Sequence, residues 1–265
     1  MANQTSIAGV GPTTTLLAVR KIRMASLKRA LRKGFDDFRA KPSHVIFLCV
    51  IYPLVGLILS RVVLGYQATL PLLFPLVAGF ALLGPLAALG LYELSRRREQ
   101  GLDATWRDAF AVIRSPAIGA IGALSAILLV LFFAWLRVAL GIYQFTFGNV
   151  APESLGAFVE QVFTTQQGWT LILAGCAAGF VFAVVALAIS VVSFPLLLDR
   201  GGGAIAAIQT SIRAVLANPI PLAAWGLIVA VALVLGSLPF LAGLAIVLPI
   251  LGHATWHLYR ELVER

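Results

Sequence analysis

The sequence predicts an all-α, polytopic membrane protein: six transmembrane helices as three hairpins, each preceded by a cytoplasmic amphipathic helix. Three observations predict it: the composition, the length of the apolar runs, and the confinement of basic residues to alternate connections. Hydrophobic residues make up 60% of the 265-residue chain and charged residues 12%, whereas ordinary soluble domains carry roughly 25% charge. So few polar groups could not cover the wet exterior of a soluble fold this size, and the mean hydropathy of +0.96 agrees. The 20 Lys and Arg outnumber the 11 Asp and Glu. In a membrane protein such an excess collects in cytoplasmic loops, so the basic balance does not call for nucleic acid, and none is expected as a partner. The two cysteines, Cys49 and Cys176, lie inside apolar runs, which excludes a disulfide framework and any CxxC motif.

A bilayer core about 30 Å thick needs roughly 20 apolar residues in helix. Spans are expected at about 44–64, 69–94, 117–140, 169–198, 219–238 and 240–258. Residues 1–22 read as a disordered cytoplasmic tail and 23–265 as a single transmembrane domain. Nine basic residues lie between Arg20 and Lys41, ahead of the first span. Arg96, Arg97, Arg98, Arg107 and Arg114 follow the second, Arg200 and Arg213 the fourth, and Arg260 and Arg265 the sixth. Only an even number of spans puts all four basic segments on one side, and the positive-inside rule makes that side cytoplasmic, with both termini there.

Each odd-numbered span is preceded by an amphipathic segment that ends before a proline. The first carries Met24, Leu27, Leu31, Phe35 and Phe38 ahead of Pro42. The second carries Leu102, Trp106, Ala109, Phe110 and Ile113 ahead of Pro116. The third carries Ile205, Ile208, Ile212, Val215 and Leu216 ahead of Pro219. Apolar residues at spacings of three and four make one stripe on a helix, and the proline turns the chain. Such helices either lie in the cytoplasmic interface or pack as a collar under the bundle. Lys28, Arg29, Arg32 and Lys33, between the apolar residues of the first, suit anionic headgroups. Pro85, Pro195 and Pro249 recur in the even spans, and LYELSRRRE from Leu91 matches LYRELVER from Leu258. Together these make a threefold internal repeat of parallel units.

Small residues at four-residue spacing, Gly175, Gly179 and Ala183, mark a helix-packing face, as do Gly119 and Ala123. They leave open whether the contact lies within the chain, with a second copy or with another membrane protein. His253 and His257 share a helix face, and with His44 they make a candidate metal or haem site, against the alternative of hydrogen bonding among helix ends. Arg61 and Arg137 are the basic residues outside the cytoplasmic segments. They are candidates for a solute or lipid headgroup, against snorkelling or pairing with Glu153 and Glu160. Glu93 with Arg97, and Asp199 beside Arg200, read as structural ion pairs. The segment from Pro152 to Gln167 reads as an amphipathic helix on the outer interface, and Gly201 to Gly203 as a turn rather than a phosphate loop. No nucleophile–base pair, P-loop or metalloprotease motif is present, and no cofactor is expected.

The stretches GFDDFRAKP (Gly34 to Pro42), GFxxLGPLAALGLYELSRRRE (Gly79 to Glu99), SFPLLLDR (Ser193 to Arg200) and GHATWHLYR (Gly252 to Arg260) resemble a bacterial family of integral membrane proteins, domain of unknown function 2189. The resemblance runs from about residue 22 to the end. It implies a bacterial inner-membrane location and carries no activity with it. The function expected first is a non-enzymatic scaffold or an accessory or assembly subunit. A transporter or channel for a small anionic or lipid-like solute is the second reading, and a haem- or metal-binding membrane protein the third.

Overall fold

The computed structural model describes residues 17–40, 56–57, 67–238 and 242–264. The first expected span, with His44, Cys49 and Arg61, lies outside the described residues apart from Gly56 and Leu57.

Every regular element among the described residues is a helix, apart from one isolated bridge between Val19 and Val263. Helix α1 spans Met24–Ala40. A 3-10 turn at Gln67–Leu72 leads into α2 (Leu73–Gly79), a second 3-10 turn (Phe80–Leu83), α3 (Gly84–Ala87) and α4 (Leu89–Glu99). A 3-10 segment at Trp106–Arg114 precedes α5 (Ile118–Phe147), which is followed by α6 (Leu155–Thr164) and α7 (Gln166–Ser190). The chain closes with α8 (Ser193–Arg200), α9 (Ala204–Ala217), α10 (Pro219–Ser237) and α11 (Leu244–Leu262).

Among the described residues four runs are long and apolar enough to cross a membrane: Leu70–Glu99, Ile118–Phe147, Gln166–Arg200 and Pro219–Ser237. They coincide with the second to fifth expected spans. The sixth expected span corresponds to α11, which is 19 residues long but carries His253, His257, Arg260 and Glu261 in its second half and is not among the four.

Local chemistry sets the breaks. Pro195 has no N–H for the carbonyl four residues back, so α7 stops and α8 restarts with the proline in its first turn. Gly148 closes α5 at φ 76°, and Gly201 and Gly202 turn between α8 and α9 at φ 71° and 94°, the left-handed region that glycine enters without steric cost. The Ser154 and Thr165 hydroxyls accept the backbone N–H groups of Ala157 and Gly168, capping α6 and α7. Thr105 and Asp108 form a reciprocal capping box that starts the Trp106–Arg114 segment.

Packing is tightest at the end of the bundle that carries the arginines. Leu91 to Ser95 in α4, Val191 to Leu198 across the α7–α8 break and Trp256 to Tyr259 in α11 are all buried. Toward the other end Trp135 ties three elements together. Its ring covers Gly179 of α7, where an added Cβ would meet it at 3.2 Å, and its indole N–H donates to the Pro75 carbonyl of α2 at 2.8 Å. The small-residue face of α7 is therefore split: Gly179 packs within the chain, Gly175 faces open space and Ala183 is exposed. Gly119 and Ala123 are exposed as well.

The three segments expected to be amphipathic are helical and share one arrangement. Each turns its small residues inward: Ser26, Ala30 and Gly34 beside Leu27 in α1, Ala109 with Val112 in the 3-10 segment, and Ala207, Thr210, Ser211 and Ala214 in α9. Bulky members of each apolar stripe are left exposed, among them Met24, Phe35, Trp106, Phe110, Ile113, Ile205 and Leu216.

The chain is docked from residue 17, before the boundary read from the sequence. Leu17, Val19 and Ile22 pack on the core. The Arg20 backbone N–H donates to the Leu262 carbonyl at 2.8 Å and that of Glu264 to the Ala18 carbonyl at 3.3 Å. The Asn218 carboxamide accepts the Ile22 N–H at 2.7 Å and donates to the Arg20 carbonyl at 3.0 Å. The first and last described segments are thus neighbours.

Candidate functional site

The polar centre of the molecule lies where α1, α4 and α11 converge, and small residues set its geometry. Gly34 of α1 lies so close to α11 that a Cβ there would come within 2.6–2.8 Å of Ala254. At Gly252 a Cβ would meet the Leu91 side chain of α4 at 2.5 Å. Helix α1 runs antiparallel to α11, since Gly34 meets Ala254 while the earlier Arg29 meets Glu261 further along. Helix α4 runs parallel to α11, Leu91 lying by Gly252 and Glu99 by Trp256. Around these close approaches, Asp37, Ser95, His253 and His257 come together.

Asp37 is the hub. Its Oδ2 accepts from the Ser95 hydroxyl at 2.7 Å and from His257 Nε2 at 2.8 Å, and its Oδ1 accepts from Arg98 Nη1 at 2.9 Å. Ser95 has one proton, and an ionised carboxylate only accepts. With that proton given to Asp37, the contact of 2.6 Å between Ser95 Oγ and His253 Nδ1 is donated by the histidine. The network therefore places a proton on His253 Nδ1; the ring also lies against the Leu91 backbone carbonyl, and its buried Nε2 has no hydrogen-bond partner of normal geometry. Burial opposes ionisation of Asp37, but the hydrogen bonds from His257 and Ser95 outweigh it and hold the carboxyl below its ordinary 3.8.

A second layer of ion pairs surrounds the hub. Glu93, 2% exposed, is gripped by Arg96 through two 2.8 Å contacts. The sequence pairs Glu93 with Arg97 one turn on; instead Arg97 reaches Asp108 of the 3-10 segment at 3.2 Å, because Glu93 faces the core and Arg97 faces the connection. Asp199 bonds to α11 rather than mainly to its neighbour: the Tyr259 hydroxyl donates to it at 2.7 Å and Arg260 at 3.0 Å, with Arg200 at 3.8 Å. Glu99 accepts from Trp256 Nε1 and Arg260 Nε, both at 3.1 Å. Lys33, Asp37, Arg98, Glu99, His257, Arg260 and Glu261 line a pocket of about 300 Å³ over this junction.

The arrangement is not a catalytic triad. A nucleophilic serine needs a histidine to take its proton and a carboxylate behind that histidine. Here the serine gives its proton to the carboxylate directly, and His257 meets Asp37 without touching Ser95 in any of the contacts above. His253 and His257, expected as metal ligands with His44, do come together, but each turns a nitrogen to a different partner. Among the described residues no group of three or more His, Cys, Asp or Glu is suited to hold a metal ion.

The other expected sites are dispersed. Arg137 is exposed on α5. Lys28, Arg32 and Lys33 are exposed, whereas Arg29 is committed to Glu261 at 2.7 Å and to Ser26 at 2.8 Å. Asp37, Ser95, Arg98 and Asn218 are missed by sequence reasoning as site residues. Asp37, Ser95 and Arg98 fall inside the stretches GFDDFRAKP and LYELSRRRE, but helical periodicity cannot say which polar residue of a helix meets another helix.

Residues 72–199 match the model of a family described as "Predicted integral membrane protein (DUF2189)". That segment belongs to this family. The DUF2189 match contains Glu93, Ser95, Arg98 and Asp199 from the polar centre, whereas Asp37, His253 and His257 lie beyond its limits. It is narrower than the resemblance read from residue 22 onward. No curated protein and no solved structure matches the chain.

Proposed function

We propose that this integral membrane protein is a non-enzymatic scaffold or accessory subunit of the bacterial inner membrane, with six spans and both termini cytoplasmic. One observation carries the reading: among the described residues the polar groups buried at the arginine-rich end, His253 Nε2 apart, are spent on one another. Asp37, Ser95, His257 and Arg98 close a single network, Glu93 is held by Arg96, and Asp199 and Glu99 are held by α11. A buried network whose members bond one another rigidifies and specifies an arrangement, which suits a protein whose task is to hold a shape in the bilayer. The pairing of Val19 with Val263 supports an even number of crossings, since it puts both ends of the described chain at one place.

The test is affinity purification of the full chain in mild detergent followed by native mass spectrometry. A stoichiometric membrane-protein partner, or a defined homo-oligomer, is the expected result. A monomer that carries neither would sink the scaffold reading. Cysteine accessibility in intact cells tests the topology: labels at positions 101 and 202 should react only after permeabilisation, and one at position 153 before it.

A further inference from the structure

We propose that the 3-10 segment Trp106–Arg114 is an interfacial anchor that selects anionic phospholipids of the leaflet it faces. This goes beyond the scaffold reading and does not depend on it. The segment joins two runs able to cross a membrane, Leu70–Glu99 and Ile118–Phe147, so it lies at the boundary between hydrocarbon and water. It rests on α4 through small contacts, an added Cβ at Gly90 meeting Ala109 at 3.0 Å, and Ala109 and Val112 are its buried residues. Its outward side is apolar. Leu102, Trp106, Phe110 and Ile113 are exposed, Ile113 to 67%.

Within Trp106–Arg114 the exposed charge has one sign. Asp108 is turned away, its carboxylate accepting the backbone N–H and hydroxyl of Thr105 and pairing with Arg97. Arg107 and Arg114 remain exposed, and the Arg107 guanidinium lies 5.5 Å over the Trp106 ring. That cation–π contact holds a positive charge at the level of an indole, and tryptophan settles at the headgroup boundary. An apolar face in the acyl region with arginines at phosphate depth fits an anionic lipid; a neutral one would leave those charges uncompensated. The same pattern recurs where Arg39 lies 5.8 Å over exposed Phe35 in α1.

The experiment uses the full chain reconstituted in nanodiscs of phosphatidylcholine doped with phosphatidylglycerol, either lipid carrying bromine on its acyl chains. The Trp106 emission is taken as the difference between the wild type and W106F. Brominated phosphatidylglycerol should quench this component at about a tenfold lower lipid fraction than brominated phosphatidylcholine. The R107Q/R114Q double variant should erase the preference while leaving quenching by either lipid. High salt should weaken it in the wild type, because exposed charges are screened. Equal quenching by both lipids in the wild type would overturn the selectivity. No quenching by either would overturn the anchor itself and place Trp106 in water or under a protein partner. Both outcomes can be read from folded wild-type protein, so a variant that fails to fold does not remove the test.

Discussion

Replacing Asp37 by alanine removes the acceptor on which three elements converge, and the size of the effect follows from what is stranded. The Asp37 side chain is 10% exposed, as is that of His257, whereas that of Arg98 is 42% exposed and can rehydrate. A buried donor left without an acceptor costs about 1–3 kcal/mol. His257 and Ser95 each lose theirs, although Ser95 can turn its proton toward His253 Nδ1 if that histidine changes tautomer. A surface-type pair such as that with Arg98 adds under about 1 kcal/mol. The sum is about 3 kcal/mol, which for a chain of this size lowers the melting midpoint by roughly 10 °C. The assay is thermal unfolding in mild detergent, followed by tryptophan fluorescence, with D36N as the control because Asp36 is exposed beside it. A D37A midpoint within about 2 °C of the control would refute the claim that Asp37 locks α1 onto α4 and α11. The pH arm has a definite sign. The folded carboxyl lies below 3.8, so its stabilisation is complete above roughly pH 5 and is lost as pH falls through the folded value. D37A should therefore show a shallower loss of stability below about pH 4 than the wild type.

Three further outcomes test the packing. G34A should destabilise by about 1–3 kcal/mol because its methyl would enter the backbone of Ala254, whereas G175A, which faces open space, should be neutral or stabilising by about 0.5 kcal/mol in the same melts. R96M should cost about 3–5 kcal/mol, since it strands the buried Glu93 carboxylate, while R97M, from a half-exposed pair with Asp108, should cost less than about 1 kcal/mol. N218A releases the bonds to Ile22 and Arg20, so trypsin should cut after Arg20 and Lys21 several-fold faster than in the wild type, with cleavage elsewhere unchanged.

The membrane class, four apolar runs able to cross a membrane and the helicity of the segments ahead of Pro42, Pro116 and Pro219 could be read from the sequence alone. Hydropathy over some 20 residues and the period of a helix are local properties, and Pro85, Pro195 and Pro249 act on their own neighbours. The arginine-rich face was equally legible, because its charge is counted along the chain. Pairing was not. That Glu93 takes Arg96 while Arg97 takes Asp108 depends on which side of α4 meets the core, and that Asp37 rather than Asp36 becomes the hub depends on how Gly34 seats against Ala254. Gly175 and Gly179 look alike in sequence, yet only Gly179 lies under Trp135. A side chain's neighbours across 58 to 220 residues of chain, the separations from Ser95 and His257 to Asp37, are fixed only when whole helices pack. Close approach at a few small residues then decides which polar groups are left to find each other.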